Sequence, residues 1–369
     1  MRAAVLETQG QPLRLCDDVE IEDPRPGQVR VRVSHCGVCH SDLSIVDGAF
    51  PSPVPVVLGH EAAGIIDAVG PDVTDLEPGD PVVLTPCPPC GTCYFCVRGE
   101  PSVCVNVIGI STNAFPDGHT GLSRGGERVY RGVNVAAFAE YVVTQATGAV
   151  KIPRGVPLDV ACVVGCAVQT GVGSVFNTAQ VVEGSTVLVM GLGGVGLSVV
   201  QGARVAGAER ILASDPVSDR REAAKAMGAT DLLDPSAEDV VARSREITGV
   251  GVDYAFETAG RADLIQTGVA ATRNGGTITA VGAPPIQESI QIGPAAAFVI
   301  SGKRLLGTVL GGSNSLREIP RLVGLWQAGR LDLDALVTAR RPLAQINEAL
   351  DDLRASRGIR TVLEIASDA

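Results

Sequence analysis

Aromatic side chains are scarce in this chain: phenylalanine, tyrosine and tryptophan together make up 3% of its 369 residues. Hydrophobic residues nevertheless reach 45% and charged residues 19%, a composition typical of a globular and not a disordered protein. The protein interior must therefore be built from valine, leucine, isoleucine and alanine. A chain of this length is expected to form two domains, each with a core of its own.

Long apolar segments and an excess of positive charge are also missing. No apolar run is long enough to cross a membrane, and the first ten residues, MRAAVLETQG, lack the apolar region of a signal peptide. The formal net charge of −11 repels nucleic acid and anionic membrane surfaces. We therefore expect a cytoplasmic protein that acts on a small molecule, with no nucleic-acid or membrane partner.

Histidine occurs only four times, whereas cysteine occurs ten times. Thiols of a cytoplasmic protein stay reduced, so disulfide bonds are not expected. Four cysteines follow each other as Cys90-x₂-Cys93-x₂-Cys96-x₇-Cys104, a spacing typical of metal ligands. Such a closed set fits a structural zinc ion, and by ligand type alone it also fits an iron–sulfur cluster. Cys87 precedes the set as a spare or a sensitive thiol.

The distribution of apolar residues divides the chain into a β-rich part and an α/β part. Val29–Ser34 alternates with period two, and short apolar segments such as Ala136–Val143 follow between glycines and prolines, which predicts a partly closed barrel. From Thr186 onward, strands alternate with helices, a pattern that predicts a parallel sheet covered on both faces. Two amphipathic helices near Leu316–Gln327 and Leu343–Ser356 precede a last strand.

A second metal-ligand pattern is formed by GVCHSD and, about twenty residues later, GHEAAG. Cys39 and His60 supply a thiolate and an imidazole, a pair that suits zinc. Asp42 is expected to orient His60 through the other ring nitrogen, and Glu61 follows the histidine directly. A catalytic zinc needs three protein ligands and one open position, so we expect a third ligand from elsewhere, with Cys166 as the best candidate.

A glycine pattern, GLGGVG, follows an apolar strand and opens a helix, which is the context of a dinucleotide-binding turn. Its glycines allow the pyrophosphate to approach the helix N-terminus. Asp215 ends the next strand, where a carboxylate accepts from the ribose hydroxyls and repels a 2′-phosphate. The sequence therefore predicts NAD and not NADP as the cofactor. The expected residues of the turn are Gly191, Gly193, Gly194, Val195 and Gly196.

GVCHSD, GHEAAG, the four-cysteine lobe and GLGGVG, in this order, resemble the zinc-dependent medium-chain alcohol dehydrogenases, and the resemblance runs from about residue 1 to 365. It implies a β-rich GroES-like catalytic domain of residues 1–167 and 310–369 and an α/β Rossmann domain of residues 168–309. Cys₂His is the established catalytic zinc set of alcohol dehydrogenases, and it is applied here to Cys39, His60 and Cys166. The resemblance also favours zinc over an iron–sulfur cluster in the lobe, and so two zinc ions per chain.

The resemblance assigns roles to further residues. Ser41 corresponds to the hydroxyl that takes the alcohol proton, and Glu61 to a carboxylate close to the metal. His40 and Arg360 correspond to residues that contact the pyrophosphate, and His40 is also a candidate for the proton path. Positions around the nicotinamide and the adenosine ribose are matched by Thr170, Val195, Val281 and Arg220.

Three positions depart from the family pattern. Ser44 stands where many members carry the histidine that ends the proton relay, so water or His40 is expected to serve instead. Phe50 and Ile108 stand where glutathione-dependent formaldehyde dehydrogenases carry an acid and an arginine. An apolar pocket is therefore expected.

The expected function is the reversible transfer of hydride from a primary or secondary alcohol, medium-chain or aromatic, to NAD. Three alternatives remain open: a nicotinoprotein that keeps its NAD bound, an S-(hydroxymethyl)glutathione dehydrogenase, and a non-catalytic protein with the same fold. The length of the segment between Cys104 and Cys166 resembles that of the usually dimeric members. We therefore expect a homodimer, with Arg304–Gly312 as the candidate interface.

Overall fold

The computed structural model describes residues 1–365, which form short strands and helices in two units. The strands are β1 (Ala3–Leu6), β2 (Arg14–Cys16), β3 (Val19–Ile21), β4 (Gln28–Gly37), β5 (Val56–Val57), β6 (Glu61–Val69), β7 (Pro81–Leu84), β8 (Leu122–Arg124), β9 (Glu127–Arg128), β10 (Tyr130–Arg131), β11 (Tyr141–Gln145), β12 (Ala149–Lys151), β13 (Thr186–Met190), β14 (Arg210–Ser214), β15 (Asp231–Leu233), β16 (Val252–Glu257), β17 (Thr272–Ala280), β18 (Arg304–Gly307), β19 (Val337–Pro342) and β20 (Arg360–Glu364).

The helices are α1 (His40–Val46), α2 (Tyr94–Val97), α3 (Gly109–Thr112), α4 (Leu158–Ala161), α5 (Ala167–Gly173), α6 (Gly194–Val205), α7 (Ser218–Ala226), α8 (Val240–Thr248), α9 (Ala262–Ala271), α10 (Ala295–Ser301), α11 (Ser315–Gln327) and α12 (Ile346–Arg354). No single described helix is long and apolar enough to cross a membrane. One bent pair of helices, Leu158–Gly165 followed by Ala167–Thr178, is long and apolar enough only when the two are taken together.

The first unit comprises Met1–Ala167, Asn314–Ala328 and the residues from 333 onward. Its largest sheet has the order β12-β7-β6-β4-β20-β19, with β11 also paired to β4. Strand β4 lies at the centre and buries Val29, Val31 and Val33 on one face, as the period-two alternation predicts. Smaller sheets, β10-β5-β1-β2 and β3-β8-β9, complete the unit. The only tryptophan of the chain, Trp326, lies in α11 and donates from Nε1 to Asp334 Oδ2 over 2.8 Å.

The second unit comprises Val168–Ser313 and Gly329–Asp332. Its six strands are all parallel in the order β15-β14-β13-β16-β17-β18. The central strand β13 is buried along nearly its whole length, because helices cover a parallel sheet on both faces. The predicted parallel sheet is thereby confirmed. The predicted division of the chain assigned residues 310–313 and 329–332 to the first domain, whereas they cluster with the second unit here.

The segment Ala136–Val143, predicted as one strand, is regular only in its last part. Strand β11 begins at Tyr141, and Ala136 has a φ of 72°, which no strand residue adopts. Residues 132–134 form a tight turn in which Val133 also has a positive φ of 50°. The apolar composition predicted the burial of this segment. Its positive φ values, however, cannot be predicted from the spacing of apolar residues.

Candidate active site

Three elements of the first unit bring the expected catalytic metal ligands together. Cys39 is the N-cap of α1, His60 immediately precedes β6, and Cys166 follows the short helical turn Cys162–Gly165. Together with Glu61, these residues place one potential donor atom each within 4.8 Å of one another. The cluster is almost entirely buried, and Cys166 is the most accessible of the four. A compact S₂N set of this kind, with one carboxylate beside it, has the composition of a catalytic zinc site.

The imidazole of His60 is held from one side only. Its Nδ1 lies 3.1 Å from Asp42 Oδ1, and the same oxygen accepts a hydrogen bond of 2.9 Å from the Gly59 amide. Among the described residues, the buried Nε2 of His60 has no hydrogen-bond partner. An unsatisfied buried nitrogen is costly, and here it belongs to a donor set that contains two thiols. The residues therefore fit a zinc ion, with Nε2 as the ligand atom.

The two thiols of the set differ in their affinity for protons. A hydrogen bond from the Cys166 thiol holds the pKa of Cys39 well below its ordinary value, and His60 adds to this effect. The same bond and burial raise the pKa of Cys166 well above its ordinary value. Burial opposes the charged form of His60, but Asp42 and Cys39 raise its pKa overall. The set is thus prepared to hold a cation, which would take the place of these shared protons.

Glu61, which lies beside the two cysteines and His60, is in buried contact with Arg360. Arg360 Nε lies 3.3 Å from Glu61 Oε2, and its Nη1 donates to the Val38 carbonyl over 2.6 Å. Burial raises the pKa of Glu61 to about 8, although Arg360 opposes the shift. A Cβ on Gly37 would lie 2.5 Å from the Glu61 carboxylate, so a larger residue there would displace this carboxylate. The sequence placed Arg360 at the pyrophosphate and missed its contact with Glu61, since β20 reaches β4 from the far end of the chain.

Ser41 and His40 occupy the first turn of α1, next to the donor set. The Ser41 hydroxyl lies 3.9 Å from Cys39 Sγ, whereas His40 is exposed to solvent. Ser44 lies on the same helix and is half-buried. The helix therefore places a hydroxyl beside the donor set and an imidazole at the surface.

The second cysteine set lies in a lobe around α2. The Sγ atoms of Cys90, Cys93, Cys96 and Cys104 lie within 4.8 Å of one another. Backbone amides donate to these sulfurs, for example Cys93 N to Cys90 Sγ over 3.3 Å and Cys96 N to Cys93 Sγ over 3.5 Å. Hydrogen bonds from amides, first that of Val105, lower the pKa of Cys93 to about 6. These amides stabilise the thiolate of Cys93, whereas burial raises the pKa of Cys104 to about 12. Four convergent cysteine sulfurs form a closed site for a structural zinc ion, which binds them as thiolates.

Cys87 lies outside this set. It is buried, and burial raises the pKa of its thiol to about 12. It is not among the described cysteines that converge on either potential metal site. A thiol of this kind is inert, which favours the interpretation as a spare residue.

The glycine turn in the second unit leads from β13 into α6. Gly191 has a φ of 90°, and a Cβ on Gly196 would lie 1.8 Å from the Gly191 carbonyl oxygen. A Cβ on Gly193 would meet nothing within 4 Å, so this position leaves open space in front of the N-terminus of α6. This open space and the helix N-terminus fit a dinucleotide pyrophosphate. Thr170, Val195 and Val281 belong to the same unit as this turn.

Asp215 follows β14 and is buried with both carboxylate oxygens engaged by the backbone. Oδ2 accepts from Leu192 N over 2.7 Å and Oδ1 from Val217 N over 2.9 Å. Arg221 donates to the Asp215 carbonyl over 2.6 Å and pairs with Asp234 at 2.9 Å. The sequence singled out Arg220 as the basic residue at this point and missed Arg221, although one helix carries both.

Comparisons with known proteins agree with this architecture. A family model described as the alcohol dehydrogenase GroES-like domain matches residues 25–154, and one described as a zinc-binding dehydrogenase matches residues 194–324. The crystal structure of an alcohol dehydrogenase zinc-binding domain protein from Burkholderia ambifaria is similar to this chain, with 37% identity, a TM-score of 0.94 and 99% of each chain covered. Benzyl alcohol dehydrogenase from Acinetobacter calcoaceticus is similar as well, with 36% identity, a TM-score of 0.93 and 99% of each chain covered.

A more distant relative was solved with a cofactor. A zinc-binding dehydrogenase from Sinorhizobium meliloti 1021, bound to NADP, has 28% identity and a TM-score of 0.80, with 98% of each chain covered. The chain described here belongs to the zinc-dependent medium-chain alcohol dehydrogenase family. It is thus an oxidoreductase with a GroES-like domain and a Rossmann domain, and the predicted family and fold class are confirmed.

Proposed function

We propose that this protein is an NAD-dependent zinc alcohol dehydrogenase that oxidises a primary or secondary alcohol, medium-chain or aromatic, and reduces the matching aldehyde or ketone. The observation that carries this proposal is the donor set of Cys39, His60 and Cys166, in which the buried His60 Nε2 has no partner among the described residues. A bound zinc ion would supply Lewis acidity, and bound NAD would supply the hydride acceptor.

The residues around the donor set have separate tasks in this reaction. Asp42 fixes the orientation of His60 through the 3.1 Å contact with Nδ1. Ser41, with its hydroxyl 3.9 Å from Cys39 Sγ, accepts the proton that the alcohol loses. Because Ser44 stands in place of a histidine, the proton leaves toward water or the exposed His40. Arg360 lies 3.3 Å from Glu61 and opposes the rise of its pKa, so it favours the charged form of this carboxyl group.

A second zinc ion is proposed for the four-cysteine lobe. The four sulfurs leave no open coordination position, so this ion would contribute to folding and not to turnover. Metal analysis of the purified protein should find two zinc equivalents per chain. One equivalent, or iron, would contradict this part of the proposal.

The preference for NAD rests on Asp215. Its buried carboxylate follows β14 and already accepts from two backbone amides, which fix its position at the end of the strand. A negative charge in this place repels the 2′-phosphate of NADP and accepts from ribose hydroxyls. Comparison of kcat/KM for NAD and NADP tests this preference.

The proposed substrate class rests on two apolar positions. Phe50 packs against the apolar core of the first unit, and Ile108 is 51% exposed. A pocket for a glutathione adduct would instead require fixed charges at these two positions, to hold the carboxylates of the adduct. The similarity to a benzyl alcohol dehydrogenase favours aromatic alcohols. Each methylene that becomes buried contributes ~0.8 kcal/mol, so kcat/KM should rise from ethanol to hexanol and benzyl alcohol.

The deciding experiment is a substrate panel with the purified zinc-loaded protein. Formation of reduced cofactor is followed with ethanol, hexanol, benzyl alcohol, and formaldehyde with glutathione. If the glutathione adduct is the best substrate, the apolar-pocket proposal is wrong. Release of NAD on denaturation, together with no response to added NAD, would instead identify a nicotinoprotein. No turnover with any alcohol would favour a non-catalytic role.

We also propose that the protein is a homodimer. Strand β18 is the last strand in the order of the second unit's sheet, and β17 is its described neighbour. The preceding helix α10 exposes Val299 and Ile300 by 75% and 85%. The last strand of a sheet, together with exposed apolar side chains on the preceding helix, favours pairing with a second chain. Sedimentation that shows a monomer at micromolar concentration would refute the homodimer.

A further inference from the structure

The segment 132–136 of the first unit and its neighbour Asn113 are held in strained backbone conformations. Asn113, Val133, Asn134 and Ala136 have φ values of 52°, 50°, 63° and 72°, and all four are buried. For the β-branched Val133 the left-handed region is a genuine outlier. Strain of this kind persists only where the surrounding contacts impose it. The contacts of the segment therefore show what the strain serves.

At one end, the side chain of Asn134 reaches the four-cysteine lobe. Its Nδ2 donates to the Asn106 carbonyl over 3.2 Å and to the Pro86 carbonyl over 2.9 Å. Asn106 in turn donates its backbone amide to Cys104 Sγ over 3.5 Å. Only one hydrogen-bonded residue thus separates Asn134 from a sulfur of the lobe.

A buried arginine fixes the other end of the Asn134 amide. Arg131 Nη1 donates to Asn134 Oδ1 over 2.7 Å, and Nη2 donates to the Val143 carbonyl over 3.2 Å. The guanidinium lies 3.8 Å from the centroid of the Phe115 ring, and no described carboxylate forms an ion pair with it. Burial lowers its pKa to about 9. Neutral acceptors alone hold this cation, so its place depends on the Asn134 amide.

Just after the strained segment, Phe138 contacts the two residues that precede His60 in the chain. The Phe138 amide donates to the Leu58 carbonyl over 2.8 Å, and a Cβ on Gly59 would lie 2.5 Å from the Phe138 ring. The Gly59 amide donates to the Asp42 oxygen that also contacts His60. A shift of Phe138 would therefore move Gly59 and, with it, the imidazole that presents Nε2 to the metal.

We propose that Asn134 is a positioning residue that couples the four-cysteine lobe to His60 through the strained segment 132–136. An ordered lobe holds Asn106 in place. Asn106 and Arg131 in turn hold the Asn134 amide, and the strained backbone then sets the position of Gly59 and His60. The catalytic set consequently keeps its metal less firmly when the lobe is empty. This inference rests on the proposed function, since it requires an ion in each donor set.

The test measures zinc release into a chromogenic chelator from the zinc-loaded holoprotein. Asn134→Gly is the informative variant, because glycine adopts the same positive φ without strain and only the side chain is lost. Cys96→Ser weakens the lobe, and the double variant combines both changes. The release phase of the catalytic set is identified by its absence in Cys39→Ser.

The matched control is Asn347→Ala. The Asn347 side chain forms two hydrogen bonds, both of 2.9 Å, but they go to the backbone of Leu13 and to neither donor set. This variant loses side-chain hydrogen bonds to the backbone of the same unit. It should leave the release rate of the catalytic set unchanged, which separates the proposed coupling from general destabilisation.

We expect Asn134→Gly to accelerate release from the catalytic set about tenfold, the size of effect that residues supporting metal ligands typically have. Cys96→Ser should accelerate the same phase in the wild-type background but not in the Asn134→Gly background. An unchanged rate in Asn134→Gly, or an undiminished effect of Cys96→Ser in that background, would overturn the inference. If Cys96→Ser does not fold, the single Asn134→Gly measurement decides. Fewer than two zinc equivalents at the start would contradict the proposed function instead.

Discussion

Asp42 Oδ1 lies 3.1 Å from His60 Nδ1 and at the same time accepts the Gly59 amide over 2.9 Å. Because the carboxylate takes up one ring nitrogen, it leaves only Nε2 for a ligand and fixes the tautomer of a neutral imidazole. The second hydrogen bond fixes the carboxylate itself. Asp42 thus determines both the direction and the basicity of the nitrogen that faces the cysteines.

The replacement Asp42→Asn should weaken metal retention in the catalytic set about 10- to 100-fold, because an amide cannot match the carboxylate as acceptor for both Gly59 and His60. Zinc content is measured after dialysis against increasing chelator concentrations. Asp47→Asn is the control, since Asp47 is an exposed acid at the C-terminal end of the same helix. Equal zinc retention in the two variants would disprove the role of Asp42.

The replacement Cys93→Ser should lower the melting temperature and remove one zinc equivalent, because a structural zinc ion contributes its binding free energy to folding. Cys39→Ser should instead abolish turnover and leave the fold intact. Differential scanning calorimetry and metal analysis compare these variants. Cys87→Ala is the control for the lobe, and it should keep both equivalents because Cys87 does not converge on the set. Loss of an equivalent in Cys87→Ala would show a different ligand set.

The replacement Asp215→Ser should shift the ratio of kcat/KM for NAD over NADP toward NADP by about tenfold or more, which corresponds to ~1.4 kcal/mol of removed repulsion. The ratio is measured at one saturating alcohol concentration. Asp219→Ser removes an exposed acid from the first turn of α7 and should leave the ratio unchanged. A wild-type protein that already prefers NADP would show that the carboxylate does not exclude the phosphate.

A pH dependence of stability is expected from Glu257 at the end of β16. This carboxyl group is fully buried, its Oε1 accepts from Ala259 N over 2.8 Å, and its Oε2 has no partner among the described residues. Burial raises its pKa from 4.5 to about 7. The folded state therefore retains a proton that the unfolded state releases, so stability falls as the pH rises between these two values and is then constant.

Glu257→Gln removes this titration while it preserves an acceptor for the Ala259 amide. Relative to wild type, the variant should gain stability progressively from pH 5.5 to pH 7, up to ~2 kcal/mol, and the difference should stay constant above pH 7. Denaturant unfolding at a series of pH values provides the measurement. Glu288→Gln, at an exposed acid that accepts from the Ala262 amide over 3.0 Å, serves as the comparison. A stability difference that does not change with pH would contradict the titration of Glu257.

The sequence predicted the fold class, the parallel sheet and the four-cysteine set, because these features depend on local patterns. Cys166 was assigned through the family resemblance, because it lies far from Cys39 and His60 along the chain. Cys39 and His60 lie in short motifs, and the four cysteines of the lobe span fifteen residues of chain, so their convergence requires few long-range contacts. Asp42 and His60 are similarly near in sequence, and the expected orientation of the imidazole agrees with the contact in the structure.

What the sequence could not predict depends on distant contacts and on backbone shape. The pair of Glu61 and Arg360 forms only because β20 joins β4 in one sheet. Ala136 was predicted as the first residue of a strand, yet its positive φ, like that of Val133 just before it, follows from surrounding contacts that no local preference contains. Arg131 gave no sequence signal either, since a basic residue next to glycine is expected at the surface and not stacked on Phe115.

Because aromatic residues are scarce, Trp326 is the single tryptophan of the chain and supplies all of its indole fluorescence. Its indole is half-buried in α11, and both Trp326 and its acceptor Asp334 belong to the first unit. Indole emission shifts to longer wavelength when water reaches the ring and the hydrogen bond to Asp334 is lost. The emission spectrum therefore reports the unfolding of the unit that contains both cysteine sets, while circular dichroism reports both units. A difference between the two transition curves would separate the melting of the metal-binding unit from that of the cofactor-binding unit without any label.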